Sequence, residues 1–299
     1  EMTRSKSSKD SKVTLDAQTK HIIDTYGTAP FLDLSKPPTK IRKMFEDFYD
    51  ELAAPLLELK KVEDIHIPGP GGDLPIRIYH PITTSKNPLP VTLFYHGGGM
   101  VFGSIKSYDA LCRRLCNKSE SIILSVGYRL APEHPFPAAI EDSYYALSWV
   151  FENATTFGGD PYRIALSGES AGGNLAAVVS QLVTERSGPR ITKQILMYPA
   201  LGSRGQSQSI DLYSTGYFFE MGPMEWFYEQ YLDDMSLAES PLVSPILAES
   251  FSGLPETFVL TAGFDMLRDD DEHYVELLQQ AGVQATYSRY ATTIHGFLC

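Results

Sequence analysis

Three scarcities in the sequence exclude several classes of protein. Only three of its 299 residues are cysteines, too few and too scattered for a disulfide framework. Lys and Arg number 25 against 37 Asp and Glu, and this net charge of -12 argues against nucleic acid and anionic membranes as partners. No apolar run approaches the roughly 18 residues of a membrane-spanning helix, and the polar N-terminus lacks the hydrophobic segment of a secretion signal. We therefore expect a cytoplasmic protein without stable membrane insertion.

The cysteines do not predict a metal site either. Cys112 and Cys116 lie four residues apart on a predicted helix, a spacing that could supply half of one. Because no second pair of ligands follows in the sequence, we interpret both as thiols of the hydrophobic core. We expect no metal and no cofactor.

Hydrophobic periodicity predicts an α/β protein. After Val62, two alternating segments flank a turn rich in glycine and proline and predict a hairpin. Strand and helix patterns then take turns along the chain. Strands are predicted at residues 91–95, 121–126, 163–166, 194–198, 256–261 and 284–290, and helices at 108–118, 138–152, from 171 and from 270. This alternation is typical of βαβ units and of a mostly parallel sheet flanked by helices.

Three regions lie outside this alternation. Residues 1–12 are rich in Ser and Lys, a composition typical of disorder. Two amphipathic helices are predicted after them, the second with one apolar stripe from Ile41 to Leu52. Residues 201–240 interrupt the alternation and are crowded with aromatic side chains. An insertion of this size is either a second small layer or a functional lid.

The strongest motif surrounds Ser170. The sequence Gly-Glu-Ser-Ala-Gly-Gly at residues 168–173 joins a predicted strand to a predicted helix, the context that gives a G-x-S-x-G motif its meaning. A nucleophile at so sharp a turn needs small neighbours, which Gly168 and Gly172 supply. The helix N-terminus also offers N–H groups to developing negative charge. We therefore predict a nucleophilic serine rather than a glycine turn that only packs a helix on a strand.

A second motif, His96 followed by three glycines, ends a predicted strand. Consecutive glycines weaken any regular element, but they let backbone N–H groups approach a ligand oxygen closely. The loop is therefore a candidate source of donors for an oxyanion hole, together with the N–H of Ala171. Because His96 stands directly before the glycines, we predict that His96 and Gly97 support the loop and that His96 is not the base.

A serine hydroxyl is a weak nucleophile until a histidine, oriented by a carboxylate, takes its proton. With a strand–serine–helix motif the expected chain order is Ser, Asp or Glu, His, which leaves His273 and His295. His273 lies in an acidic helix, where a solvated position is natural, and His295 follows the last predicted strand. Asp265 follows the preceding strand, and its competitors, residues 269–271, are typical of the negative first turn of a helix. We predict Asp265 and His295.

Together these motifs resemble the hormone-sensitive lipase family of α/β-hydrolases, and within it the bacterial carboxylesterases. They lie at residues 96–99, 168–173, 265–269 and 295–297, and the segment 128–138 is similar to a further signature. The resemblance covers roughly residues 60–299. It implies an α/β-hydrolase fold with a helical cap. The site residues that it implies are catalytic Ser170, Asp265 and His295, with oxyanion N–H groups on Gly98, Gly99 and Ala171.

The resemblance also divides the chain and shows where it departs from the family. The predicted units are N-terminal cap helices (1–57), a first part of the hydrolase core (58–200), a cap insertion (201–240) and a second part of the core (241–299). Glu169 stands where Asp is more common and Met266 where Pro often follows the carboxylate, and neither is expected to take part in the chemistry. The family usually continues with a helix after the histidine loop, and we expect that helix to be absent.

The expected reaction is the hydrolysis of short- to medium-chain carboxylic esters by acyl transfer through Ser170. The expected partner is a small-molecule ester, and a homodimer is left open. A peptidase or amidase could use the same catalytic residues, and an interfacial lipase would need a large exposed apolar patch on its cap. A non-catalytic receptor is a further alternative, since gibberellin receptors resemble this family but lack the catalytic histidine. The presence of His295 favours an enzyme.

Overall fold

The sheet begins with the predicted hairpin. In a computed structural model that describes residues 13–27, 29, 32–202 and 207–299, strands β1 (Lys61–Gly69) and β2 (Gly72–His80) pair antiparallel. Both strands run further into the turn than the sequence pattern indicates, because Gly69 pairs with Gly72 across only two residues. Residues 1–12, predicted to be disordered, lie outside the described residues.

Six further strands complete the sheet: β3 (Leu89–Tyr95), β4 (Ile122–Val126), β5 (Gly159–Glu169), β6 (Lys193–Met197), β7 (Glu256–Phe264) and β8 (Ala285–Ile294). The order across the sheet is β1-β2-β4-β3-β5-β6-β7-β8. Strands β3 to β8 are parallel, and β1 and β2 form an antiparallel edge. All five side chains of β4 are buried, as expected for a sheet covered on both faces. The predicted mostly parallel sheet is confirmed.

Beyond the hairpin, three strands extend by three or more residues past a predicted end. Strand β5 begins at Gly159 rather than at residue 163, and β7 and β8 continue to Phe264 and Ile294. These last two residues are register partners. Pairing with a neighbouring strand therefore sets the strand ends, because it supplies hydrogen bonds to residues that have no clear local strand pattern.

Eight α-helices occur in the described ranges: α1 (Ala17–Tyr26), α2 (Pro38–Leu52), α3 (Asp109–Ser119), α4 (Ala138–Asn153), α5 (Ala171–Glu185), α6 (Gln208–Tyr213), α7 (Met221–Tyr231) and α8 (Arg268–Gln280). Helix α5 is the most enclosed, since every residue from Ala171 to Val183 is buried. Its small side chains allow this close approach to the sheet. None of the helices described is both long enough and apolar enough to cross a bilayer.

The N-terminal helix α2 packs against the aromatic insertion. Three members of its predicted apolar stripe are buried: Ile41, Phe45 and Phe48. The ring of Phe48 stacks on that of Phe218 in the insertion, with centroids 5.9 Å apart. On the same helix, Arg42 Nε donates to the carbonyl oxygen of Val101 at 2.7 Å. Helix α2 and the insertion are thus joined beside the loop that follows β3.

Helix α3 carries two of the cysteines. Cys112 and Cys116 are both fully buried, and Cys116 Sγ donates to the carbonyl oxygen of Tyr79 at 3.4 Å. Burial raises the pKa of Cys116 to about 12, so its thiol stays protonated at neutral pH. Both cysteines are core thiols, as predicted.

Candidate active site

Ser170 occupies the sharp turn between β5 and α5. Its backbone has φ 52° and ψ -116°, a conformation that costs energy for any residue other than glycine. A hydrogen bond of 2.9 Å from its N–H to the Met197 carbonyl oxygen holds it there. A Cβ on Gly168 would lie 2.1 Å from the Gly172 carbonyl oxygen, and one on Gly172 would lie 1.9 Å from that of Tyr95. Neither position therefore has room for a side chain.

The folded chain brings Asp265, His295 and Ser170 together in one hydrogen-bonded series. His295 Nδ1 lies 2.7 Å from Asp265 Oδ2, and Nε2 lies 2.9 Å from Ser170 Oγ. Asp265 sits just after β7 and also accepts a hydrogen bond of 3.0 Å from the Leu267 N–H. With the carboxylate accepting from Nδ1–H, Nε2 is left free to accept the serine proton. This is the geometry that general-base activation of a serine requires.

The surroundings of His295 make it a stronger base than an ordinary histidine. Burial of the imidazole disfavours its charged form and by itself lowers the pKa. The negative charge and hydrogen bond of Asp265, with a smaller effect of the Glu169 charge, outweigh burial, so the pKa of His295 lies above 6.5. The imidazolium that forms during proton transfer is thereby stabilised.

The competing candidates lie elsewhere. His273 is on an exposed part of α8, where its Nδ1 is 3.2 Å from Glu276 Oε2. The aspartates at positions 269–271 form the first turn of α8, as the sequence indicated. The structure thus brings Asp265 and His295 to Ser170 and leaves His273 away from it.

The glycine loop follows β3 beside the nucleophile. Gly98 and Gly99 line the same cavity as Ser170, and their φ angles of 111° and 63° lie in the region that favours glycine. A Cβ on Gly98 would lie 2.2 Å from the Phe102 carbonyl oxygen, and one on Gly99 would lie 2.4 Å from the Phe227 ring. The loop backbone can therefore approach the site only because it carries no side chains.

His96 lies under this loop and not at the nucleophile. Its Nδ1 is 2.8 Å from the Gly97 carbonyl oxygen, and its ring stacks on Tyr128 with centroids 4.2 Å apart. Burial lowers the pKa of His96 to about 4, so the ring is neutral at pH 7 and Nδ1–H can donate to that carbonyl. These contacts agree with the predicted supporting role of His96 and Gly97.

Substitution of Gly98 tests the role of the loop. Gly98→Ala should lower kcat by about 10²–10³, the scale of losing one oxyanion donor, because the methyl group would displace the backbone from Phe102. Hydrolysis of p-nitrophenyl butyrate measures the effect. Gly72→Ala is the matched control, since Gly72 has a similar φ of 117° but open space around it. Equal activity in the two variants would contradict the oxyanion role.

Two apolar cavities meet at the site, each with a volume of about 50 Å³. The first contains Ser170 and His295, and the second contains Ala171, the residue after the nucleophile. Phe219 and Phe227 line both cavities, and the Phe219 ring stacks on His295 with centroids 4.6 Å apart. The aromatic insertion thus forms walls of the site.

Sequence reasoning gave no role to Glu169 or Tyr108. The Glu169 carboxyl is buried and accepts a 2.7 Å hydrogen bond from the Tyr108 hydroxyl, and both residues line the cavity that contains Ser170. The only local signal for Glu169 is its position directly before the nucleophile. Nothing local marks Tyr108, which lies 61 residues earlier in the chain.

The order of these residues narrows the class of protein. Serine, aspartate and histidine follow successive parts of the chain, at the ends of β5, β7 and β8. Chymotrypsin and subtilisin build the same geometry with different chain orders. The order found here, on a mostly parallel sheet with a glycine-flanked serine, defines the α/β-hydrolases.

Comparison with known proteins agrees with this class. A family model described as the alpha/beta hydrolase fold matches residues 92–299. The carboxylic ester hydrolase LipN of Mycobacterium tuberculosis is 44% identical over 243 residues, which are 79% of this chain and 64% of LipN. An arylesterase of Saccharolobus solfataricus is 35% identical over 286 residues, 95% of this chain and 92% of that protein. The structure of a hyperthermophilic esterase from Pyrobaculum calidifontis has a TM-score of 0.87 and 39% identity, covering 95% of this chain and 91% of that one.

The chain belongs to the hormone-sensitive lipase family of α/β-hydrolases. The resemblance inferred from the sequence motifs is thereby confirmed, and the relatives reported above carry the names of ester hydrolases, the class that the sequence predicted. The chain spans 64% of the length of LipN, less than two thirds of that relative.

Proposed function

We propose that this chain is a carboxylic ester hydrolase that works through an acyl-enzyme on Ser170. The observation that carries the proposal is the pair of hydrogen bonds from Asp265 through His295 to Ser170 Oγ, buried beside an apolar cavity. A base held against the hydroxyl is what a serine needs to attack a carbonyl carbon. The names of the relatives, among them carboxylesterase and arylesterase, support an ester as the substrate.

Acylation begins when His295 Nε2 takes the Ser170 proton and Oγ attacks the ester carbonyl carbon. Negative charge then forms on the carbonyl oxygen, where the N–H groups of the glycine loop and of Ala171 stabilise it. His295 gives its proton to the leaving alcohol oxygen as the bond to the carbonyl carbon breaks. The acyl group is left as an ester of Ser170.

Deacylation uses the same residues with water as the nucleophile. His295 takes a proton from a water molecule, which attacks the acyl carbonyl carbon and breaks the bond to Ser170 Oγ. The proton returns to Oγ, and the carboxylic acid leaves. Asp265 stays ionised in both steps and stabilises the imidazolium.

The aromatic walls support a limit on the acyl chain. An apolar pocket gains about 0.8 kcal/mol for each CH₂ group that it buries, but only until it is full. Here the walls include Phe219 and Phe227, whose rings are packed against His295 and the glycine loop. A longer chain must displace these rings or stay in water. We therefore propose short- to medium-chain esters as substrates.

A series of p-nitrophenyl esters from acetate to palmitate tests the limit. The ratio kcat/KM should rise and then fall, with its maximum at about four to eight acyl carbons, since transfer energy is gained only while CH₂ groups are buried. Met224→Ala should move the maximum to longer chains, because Met224 is buried and lines the second cavity. Met235→Ala should leave the maximum unchanged, since Met235 packs against the core outside both cavities.

The same assay separates the alternatives. A preference for palmitate, or activation by an oil–water interface, would contradict the limit and indicate a lipase. Faster hydrolysis of a p-nitroanilide than of the matched ester would indicate an amidase. A wild-type chain that hydrolyses neither would contradict the proposed enzyme.

A further inference from the structure

The Glu169 side chain lies between the nucleophile turn and the glycine loop. It directly precedes Ser170, and it is only 2% exposed. Its Oε2 accepts a hydrogen bond of 2.7 Å from the Tyr108 hydroxyl. Both residues line the cavity that contains Ser170 and His295. A buried carboxyl thus forms part of the site wall, although the acyl transfer outlined above gives it no step.

This carboxyl explains why residue 97 is a glycine. A Cβ on Gly97 would lie 1.7 Å from Glu169 Oε2 and 2.7 Å from the Tyr108 hydroxyl oxygen. Gly98 and Gly99 have positive φ angles, but Gly97 does not, so its backbone conformation would admit a side chain. The space is instead filled by the carboxyl and the phenol. At Gly97, the backbone of the loop therefore packs against the side chains of Glu169 and Tyr108.

The carboxyl is also placed to act on the base by its charge. The titratable groups that face it are Tyr49, Tyr108, Tyr128, Tyr198, Cys299, Asp265 and His295. Burial raises the pKa of Glu169, while His295 and the hydrogen bonds of two tyrosines oppose the rise. Of these groups only His295 becomes positively charged during the reaction, and a negative charge nearby favours that state.

We propose that Glu169 is a positioning residue of the oxyanion loop. Its carboxyl, held by Tyr108, fixes Gly97 and thereby the direction of the two N–H groups that follow. When it is ionised, its negative charge also adds to that of Asp265 at His295. The inference rests on the proposed acyl transfer and extends it to a residue that the sequence pattern left without a role.

A reciprocal pair of substitutions tests the packing. Gly97→Ala puts a methyl group where Oε2 lies, and kcat for p-nitrophenyl butyrate should fall by roughly 10²-fold with little change in KM. Glu169→Asp shortens the side chain by one CH₂ group. The double variant should therefore recover about tenfold over Gly97→Ala alone, a coupling expected of residues in contact. A double variant no faster than Gly97→Ala overturns the proposal.

Gly98→Ala provides the matched control for this rescue. Its Cβ would meet the Phe102 carbonyl oxygen, not the Glu169 carboxyl. Glu169→Asp should therefore leave the Gly98→Ala defect unchanged, and equal rescue of both glycine variants overturns a specific contact with Gly97. If Gly97→Ala fails to fold, Tyr108→Phe replaces it. That variant removes the 2.7 Å hydrogen bond and should lower kcat at constant KM, and an unchanged kcat overturns the proposal.

The charge is tested by Glu169→Gln, which keeps the size of the side chain. Loss of a negative charge lowers the pKa of His295, so the acid limb of kcat/KM should move to lower pH. Asp142→Asn is the control, because Asp142 is equally buried but is paired with Arg129. An acid limb that stays in place in Glu169→Gln, or moves equally in both variants, overturns the charge effect.

Measurements on the wild-type chain distinguish a failure of this inference from a failure of the proposed function. A wild type that neither hydrolyses the ester nor reacts with a fluorophosphonate overturns the proposed function. An active wild type in which Glu169→Asp fails to relieve Gly97→Ala overturns only the role of Glu169.

Discussion

Replacing Ser170 by alanine is expected to abolish ester hydrolysis, with kcat falling by about 10⁶-fold. Ser170 Oγ lies 2.9 Å from His295 Nε2, so it is the hydroxyl that the base can deprotonate and that can then form the acyl-enzyme. The fold should remain intact, since alanine fits the same space. Hydrolysis of p-nitrophenyl butyrate, with the unfolding temperature measured beside it, gives the result.

Ser167→Ala is the matched control for this substitution. Ser167 lies three residues earlier on β5, and its buried hydroxyl has no hydrogen-bond partner among the residues described by the structure. It should retain activity and fluorophosphonate labelling, whereas Ser170→Ala should lose both. Activity of Ser170→Ala within about tenfold of the wild type would exclude Ser170 as the nucleophile, because triad knockouts lose far more.

Replacing His295 by alanine should be nearly as damaging, again approaching a loss of about 10⁶-fold in kcat. Without the imidazole, nothing takes the proton from Ser170 Oγ or returns it to the leaving group. His273→Ala should be close to neutral, since His273 is exposed on α8 beside Glu276. The two variants are compared in the same ester assay. A more severe defect in His273→Ala would reverse the assignment of the base.

The pH dependence follows from the state in which His295 acts. The base takes a proton only when neutral, so kcat/KM should rise with pH through its pKa, which lies above 6.5. Burial by itself lowers the pKa of His295, and the charge and hydrogen bond of Asp265 outweigh that effect. Asp265→Asn should therefore move the acid limb to lower pH, as well as reduce kcat. A wild-type acid limb below pH 6.5 would contradict the interpretation.

Much of the site could be predicted from the sequence because its requirements are local. Gly168 and Gly172 are fixed by backbone atoms within 1.9–2.1 Å of where a side chain would start, and such clashes leave a direct mark on the sequence. The chain order of the motifs left two histidines, His273 and His295, and the acidic helix around His273 then favoured His295 as the base. The alternation of strands and helices gave the sheet class, since each pattern has its own period.

The strand ends could not be predicted in the same way. Ile294 belongs to β8 because Phe264 of β7 lies beside it, and neither residue lies within the segment whose periodicity predicted its strand. The length of a strand is decided by the hydrogen-bond partners that its neighbours offer. Those neighbours are set by the topology of the whole sheet.

By itself, then, the sequence determined which short segments carry the chemistry, because glycine sterics and periodicity act over a few residues. Only the tertiary structure decided what surrounds them. In the sequence, Glu169 is only a difference from the usual motif, with no predicted role. In the structure, its carboxyl accepts a hydrogen bond from Tyr108, 61 residues earlier in the chain, and fills the space beside Gly97. Likewise an ordinary histidine titrates near 6.5, and it is the buried charge of Asp265 that raises the pKa of His295. Burial and charge depend on atoms that are distant along the chain and close in space, so no local pattern contains them.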